Sequence, residues 1–190
     1  MAVQKTRYSS AEFIEFLNLP ENADRFFERI DGEIIEHMPS FPYASGVGNL
    51  ILYYIMGFVL ENDLGNVTGE QGGYEVSEED TFAPDVAFIS HARQANLPND
   101  KFNPVPPDLA VEVVSPSDLA DPKRRIQRKL EKYKAARIPL LWYVYSDPQM
   151  VDVYRNGEFV ETVGIDGVLD GYDVLPGFKL PVAKIFPKKR

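Results

Sequence analysis

The chain has no cysteine among its 190 residues. That excludes disulfides, thiolate metal sites and cysteine nucleophiles together, and it accords with a reducing compartment. Histidine is almost as scarce: His37 and His91 are too isolated for a two-histidine metal centre, and each reads as structural or surface. Positive charge is in short supply as well. Lys and Arg total 20 against 29 Asp and Glu, a net charge of −9, which argues against a protein that coats nucleic acid nonspecifically. No apolar run approaches the roughly 18–20 residues of a membrane span, and the opening MAVQKTRYSS lacks the apolar region of a signal peptide. A cytoplasmic protein with no membrane contact is expected. Gly72-Gly73 lacks the lysine of a phosphate-binding loop, and Ser115 and Ser117 lack the G-x-S-x-G setting of a serine nucleophile.

With 44% hydrophobic residues, a chain of this length supplies the core of one ordinary domain. A single domain over residues 1–190 is expected, with an N-terminal helix and hairpin (1–43), a core (44–146) and a C-terminal hairpin and tail (147–190). Ser10 reads as the cap of a short helix bearing Phe13, Ile14 and Leu17. FERIDGEIIEH reads as a hairpin turning at Asp31-Gly32, and MVDVYRNGEFVET as another turning at Asn156-Gly157. Apolar residues at nearly every position from Val47 to Leu60 predict a helix buried on most sides, with Ser45 as its cap. NVTGEQGGYEVSEED predicts one strand pinched at Gly72-Gly73. The polar, proline-rich link from His91 to Pro107 is long enough for substrate to lie against it.

Two short apolar runs each carry a carboxylate. In PPDLAVEVVSPSD, Glu112 interrupts Leu109 to Val114; in APDVAFIS, Asp85 stands at the mouth of Val86 to Ile89. An unpaired carboxylate in such a setting costs several kcal/mol or stays protonated, so each implies a cation, a metal or strong donors. If the strands are neighbours, Asp85 and Glu112 converge on one divalent ion; otherwise both are strand-end acids satisfied by backbone N–H groups. Asp121-Pro122 then reads as a helix start, and Ile126, Leu130 and Tyr133 repeat on one helix face. Lys129 borders that face and is either a surface lysine with a covered stem or one reaching back to the Glu112 strand; Arg124, Arg128 and Lys132 point to solvent. IPLLWYVYSD is a fully apolar strand, so strand, helix and strand imply a right-handed crossover and a parallel pair.

PDVAFI, PPDLAVEVVSPSD and RKLEKYKAARIPLLWYVYSD, with RIDGEI near the N-terminus, together resemble the Uma-type endonuclease family, a branch of the PD-(D/E)XK, restriction-endonuclease-like superfamily. The resemblance runs from about Phe13 to Leu180. It implies an α/β restriction-endonuclease-like core, α-β-β-β-α-β, with a mixed central sheet flanked by helices and hairpins at both ends. It makes Asp85 the aspartate of the PD motif, Glu112 the second metal ligand and Glu33 an acidic residue near the site. Lys129 takes the place of the motif lysine, because Val114 stands where the parent motif has it. Many members carry a histidine before the buried helix, where this chain has Tyr43. The implied activity is hydrolysis of phosphodiester bonds, with DNA as substrate and Mg²⁺, or Mn²⁺ in its place, held by Asp85, Glu112 and the Val113 carbonyl. A homodimer or higher homo-oligomer is expected by the same analogy. The alternative is a catalytically silent nuclease fold that binds nucleic acid or protein.

Overall fold

The computed structural model describes residues 7–37, 40–119 and 124–187. A capping box opens α1 (Ser10–Leu17): the Ser9 hydroxyl accepts from the Glu12 N–H, and the Glu12 carboxylate accepts from the Ser9 N–H. The cap is therefore Ser9 and not Ser10, whose hydroxyl donates to Glu75 instead. The strands β1 (Phe26–Ile30) and β2 (Glu33–His37) form the expected hairpin, with Asp31 and Gly32 at φ 55° and 74°, the left-handed pair that matches strand twist.

The second helix, α2 (Pro42–Glu61), starts ahead of Ser45, with Pro42 in the first turn, where its missing N–H costs nothing. Ala44, Val47, Ile51, Ile55 and Val59 form its single buried stripe. Tyr53 and Leu60 on the opposite side are 69% and 72% exposed, so the helix is not buried on most sides. Its 20 residues are also long and apolar enough to cross a membrane by length and composition alone, which corrects the expectation that no stretch qualifies. In this fold the buried stripe packs on a sheet.

The stretch around Gly72-Gly73 is not one strand. It yields β3 (Gly65–Gly69) and β4 (Tyr74–Ser77), which enter different sheets. There follow β5 (Asp80–Phe82), β6 (Val86–Ser90), β7 (Leu109–Val114) and the short α3 (Pro116–Leu119). The next helix is α4 (Arg125–Ala135), entered through Arg124 at φ 51°; its expected start at Asp121-Pro122 lies outside the described residues. The chain closes with β8 (Leu140–Tyr145), β9 (Met150–Arg155), β10 (Glu158–Gly164), β11 (Val168–Asp170) and β12 (Lys179–Pro181).

The central six-stranded sheet runs β10-β9-β8-β7-β6-β3 and is mixed: β7 and β8 are parallel, as expected, and the other neighbours antiparallel. The order α2, β3, β6, β7, α4, β8 is that of the expected α/β core. The β4–β5 hairpin, inserted between β3 and β6, joins the N-terminal hairpin in a second sheet, β2-β1-β5-β4. β7 supplies both faces of the central sheet. Leu109, Val111 and Val113 pack with α2, while Ala110 and Val114 pack with α4 and the second sheet. Strand alternation sends Glu112 to the second of these layers.

At the β9–β10 turn Gly157 has φ 86°, and a Cβ there would lie 2.4 Å from the Lys134 carbonyl oxygen at the end of α4. Replacement by alanine is expected to cost about 1–3 kcal/mol, read as a lower urea midpoint at unchanged slope.

Candidate active site

Glu112 meets a cation supplied by α4. Lys129 is only 1% exposed, and its ammonium lies 2.7 Å from Glu112 Oε1 and 2.7 Å from Glu28 Oε1. The face-border position foreseen for Lys129 is thus a fully buried one, its Nζ also 5.3 Å from the centre of the Phe82 ring. Tyr133, one turn along α4, donates its hydroxyl to Glu112 Oε1 at 2.7 Å. Glu28, from the middle of β1, is fixed further by the Ala83 N–H at 3.1 Å and by Arg125 Nη1 at 3.2 Å. Arg125 also reaches Asp118 at 2.9 Å, and Asp118 accepts from the Ser115 hydroxyl and N–H at the end of β7.

Burial works to raise the pKa of Glu28, but Lys129 and Arg125 outweigh it and hold this carboxyl below its ordinary range. For Lys129 burial is likewise opposed, here by Glu112 and Glu28, and the ammonium is held more firmly charged than in water. Glu112 is pushed up, burial exceeding what Lys129 returns. His37, half-buried at the end of β2, is lowered to about 4 by burial and by Arg125, so it is a neutral imidazole at physiological pH.

Asp85 precedes β6, whose register sets Val86 opposite Val111 and so brings residue 85 level with Glu112. Its Oδ2 accepts from the Val113 N–H at 2.6 Å. Burial first, and the Glu112 carboxylate second, push the Asp85 pKa up to about 7. Asp85 is thus a strand-end acid held by a backbone N–H, beside a second carboxylate that repels it. The neighbouring α2 comes close through Gly48, where a Cβ would lie 3.8 Å from Asp85 Cβ. Asp85 opens into a cleft of about 490 Å³ walled by Ser45 and Asn49 of α2, by Thr68 and Gly69 at the end of β3 and by the turn that follows to Gly72.

The donor set suits a hard divalent cation. Asp85, Glu112 and the Val113 carbonyl are oxygen donors, and in this cluster the acids Asp85, Glu112, Glu28 and Asp118 outnumber the cations Lys129 and Arg125. Among the described residues no group of three or more acidic, histidine or cysteine side chains is placed to hold a metal ion.

Glu33 stands apart from this group. It is exposed at the start of β2 and pairs with Arg128 at 3.0 Å. Arg128 and Lys132 do not simply face solvent: both bind Asp31, and Arg128 also binds the Ile30 carbonyl, so α4 clasps the hairpin turn. The acid that the N-terminal hairpin brings to Glu112 is Glu28. A signal for it was present, since FFERI sets Glu28 among apolar residues as LAVEVV sets Glu112.

The order of helices and strands and the mixed central sheet are those of a restriction-endonuclease-like fold. The model of the Uma2 family, described as "Putative restriction endonuclease", matches residues 13–183, and the chain belongs to that family. Among solved structures it is similar to one described as "a putative nuclease belonging to DUF820" from Anabaena variabilis ATCC 29413, with a TM-score of 0.74 over 91% of this chain and 96% of that one. At 19% identity this likeness shows the fold. No curated protein matches the chain.

Proposed function

We propose that the protein is a divalent-metal-dependent endonuclease that hydrolyses phosphodiester bonds in DNA. The observation that carries the reading is the β6–β7 register, which sets Asp85 level with Glu112, with Lys129 of the following helix locked onto Glu112. Asp85, Glu112 and the Val113 carbonyl would hold Mg²⁺, or Mn²⁺ in its place. Such an ion supplies positive charge to the phosphoryl oxygens and acidifies water when bound. The protein's own part is preorganisation. The Val113 N–H fixes one oxygen of Asp85, and Lys129 and Tyr133 fix one oxygen of Glu112. Lys129 is too deeply buried to touch a phosphate, so it acts as a positioning residue for Glu112 and Glu28.

Calorimetric titration of Mn²⁺ into the wild type and an Asp85→Ala, Glu112→Ala double variant, each with a DNA oligonucleotide present, tests the assignment. Binding is expected in the wild type alone, together with nicking of supercoiled plasmid that EDTA stops. Equal nicking by the folded double variant would overturn it. The net charge of −9 favours a second reading, a silent binding domain, since a nuclease for DNA ordinarily presents more basic surface. Metal binding without cleavage of any DNA form would select it.

A further inference from the structure

We infer that a second cleft beside the carboxylates takes an unpaired nucleobase, so that the preferred substrate is single-stranded or locally unpaired DNA; this rests on the nuclease reading above. The cleft encloses about 880 Å³ where α2 begins and where β7 and β8 end. Ala44 on its floor lies four residues before Gly48, which meets Asp85. That is one helical turn, about 6 Å. The first two turns of α2 therefore wall both this cleft and the one into which Asp85 opens, and a strand crossing Asp85 places its neighbouring nucleotide here.

The lining fits a base better than a phosphate. Phe41 and Tyr43 supply aromatic surface with the buried Phe186 behind them, and among the described residues of the wall the charged side chain is Asp147, with no lysine or arginine to hold a phosphate. Phe41 stands at the rim 66% exposed, a ring with no core to fill. The Tyr43 ring is braced by Gln149, whose Nε2 donates to its hydroxyl at 2.7 Å. Among the described residues no group donates to the Gln149 carbonyl oxygen, which can accept from a base edge. Duplex bases are stacked on one another and sealed by pairing, so an aromatic recess next to the reacting phosphate admits only a base that has left the stack.

The test uses the full chain in EDTA and a short single strand carrying a fluorescent adenine analogue, compared with its duplex. The wild type is expected to quench the probe and to bind the single strand about tenfold more tightly than the duplex, as one or two stacked bases provide. Phe41→Ala, at an exposed site, should lose that preference and the quenching at unchanged melting temperature. Gln149→Ala should weaken binding in the same direction. Duplex bound as tightly as single strand, no binding of either, or quenching indifferent to both substitutions would overturn the inference. A wild type that stacks the probe yet cleaves nothing in Mg²⁺ or Mn²⁺ would keep the cleft and end the nuclease reading. One that cuts duplex without stacking the probe would do the reverse.

Discussion

Asp85→Asn is expected to melt at a higher temperature than the wild type at pH 8 in EDTA, while losing metal-dependent cleavage. In the fold, burial and Glu112 raise the Asp85 carboxyl from 3.8 to about 7, so the folded protein holds this proton more tightly than the unfolded chain. Its contribution to stability is complete below the unfolded value and is lost as pH rises through the interval up to about 7. At about 1.4 kcal/mol per pH unit, ionising Asp85 costs the metal-free fold on the order of 4 kcal/mol. Asparagine avoids that cost and can still accept from the Val113 N–H. The gain should shrink as pH falls from 7 toward 4, and added Mg²⁺ should stabilise only the wild type. Scanning calorimetry between pH 4 and 8 checks this. A variant that melts no higher than the wild type at pH 8 would mean that Asp85 carries no penalty to relieve.

Lys129→Met is expected to cost about 3–5 kcal/mol, because it leaves Glu28 and Glu112 buried without the ammonium that both share. Methionine keeps most of the stem volume, so the loss reports charge and not packing. Adding Glu112→Gln removes one of the stranded charges and should recover part of the stability in urea unfolding. If the double variant falls as far as the sum of the two single changes, the cluster is not coupled as described, and Lys129 matters for packing alone.

Much of this site was legible in the sequence because a charged residue inside an apolar strand is a conspicuous conflict. Asp85 and Glu112 announced themselves that way, and the 3.6-residue spacing of α4 put Lys129 beside its apolar face. The same conflict in FFERI pointed to Glu28, but a short strand next to an Asp-Gly turn reads equally well as a surface hairpin. What decides between the two is the second sheet, and that sheet depends on Arg29 of β1 meeting Thr81 of β5. Nothing in the local pattern of either segment encodes a pairing between strands so far apart. The exposed side of α2 was missed for a different reason: composition counts Tyr53, Met56 and Leu60 as apolar without saying whether anything lies opposite them. Glu33 was singled out by motif resemblance, and its place at the strand end, within reach of Arg128, gives it a surface partner instead.

The shared ammonium also bears on how the chain is made. Glu28 leaves the ribosome 101 residues ahead of Lys129, an interval of about 5–20 s at ordinary elongation rates. Through that time its carboxylate has neither Lys129 nor Arg125 to offset the loss of water. The hairpin β1–β2 must therefore stay hydrated and undocked during synthesis, and its insertion against the central sheet belongs to the last stage of folding, after α4 has emerged.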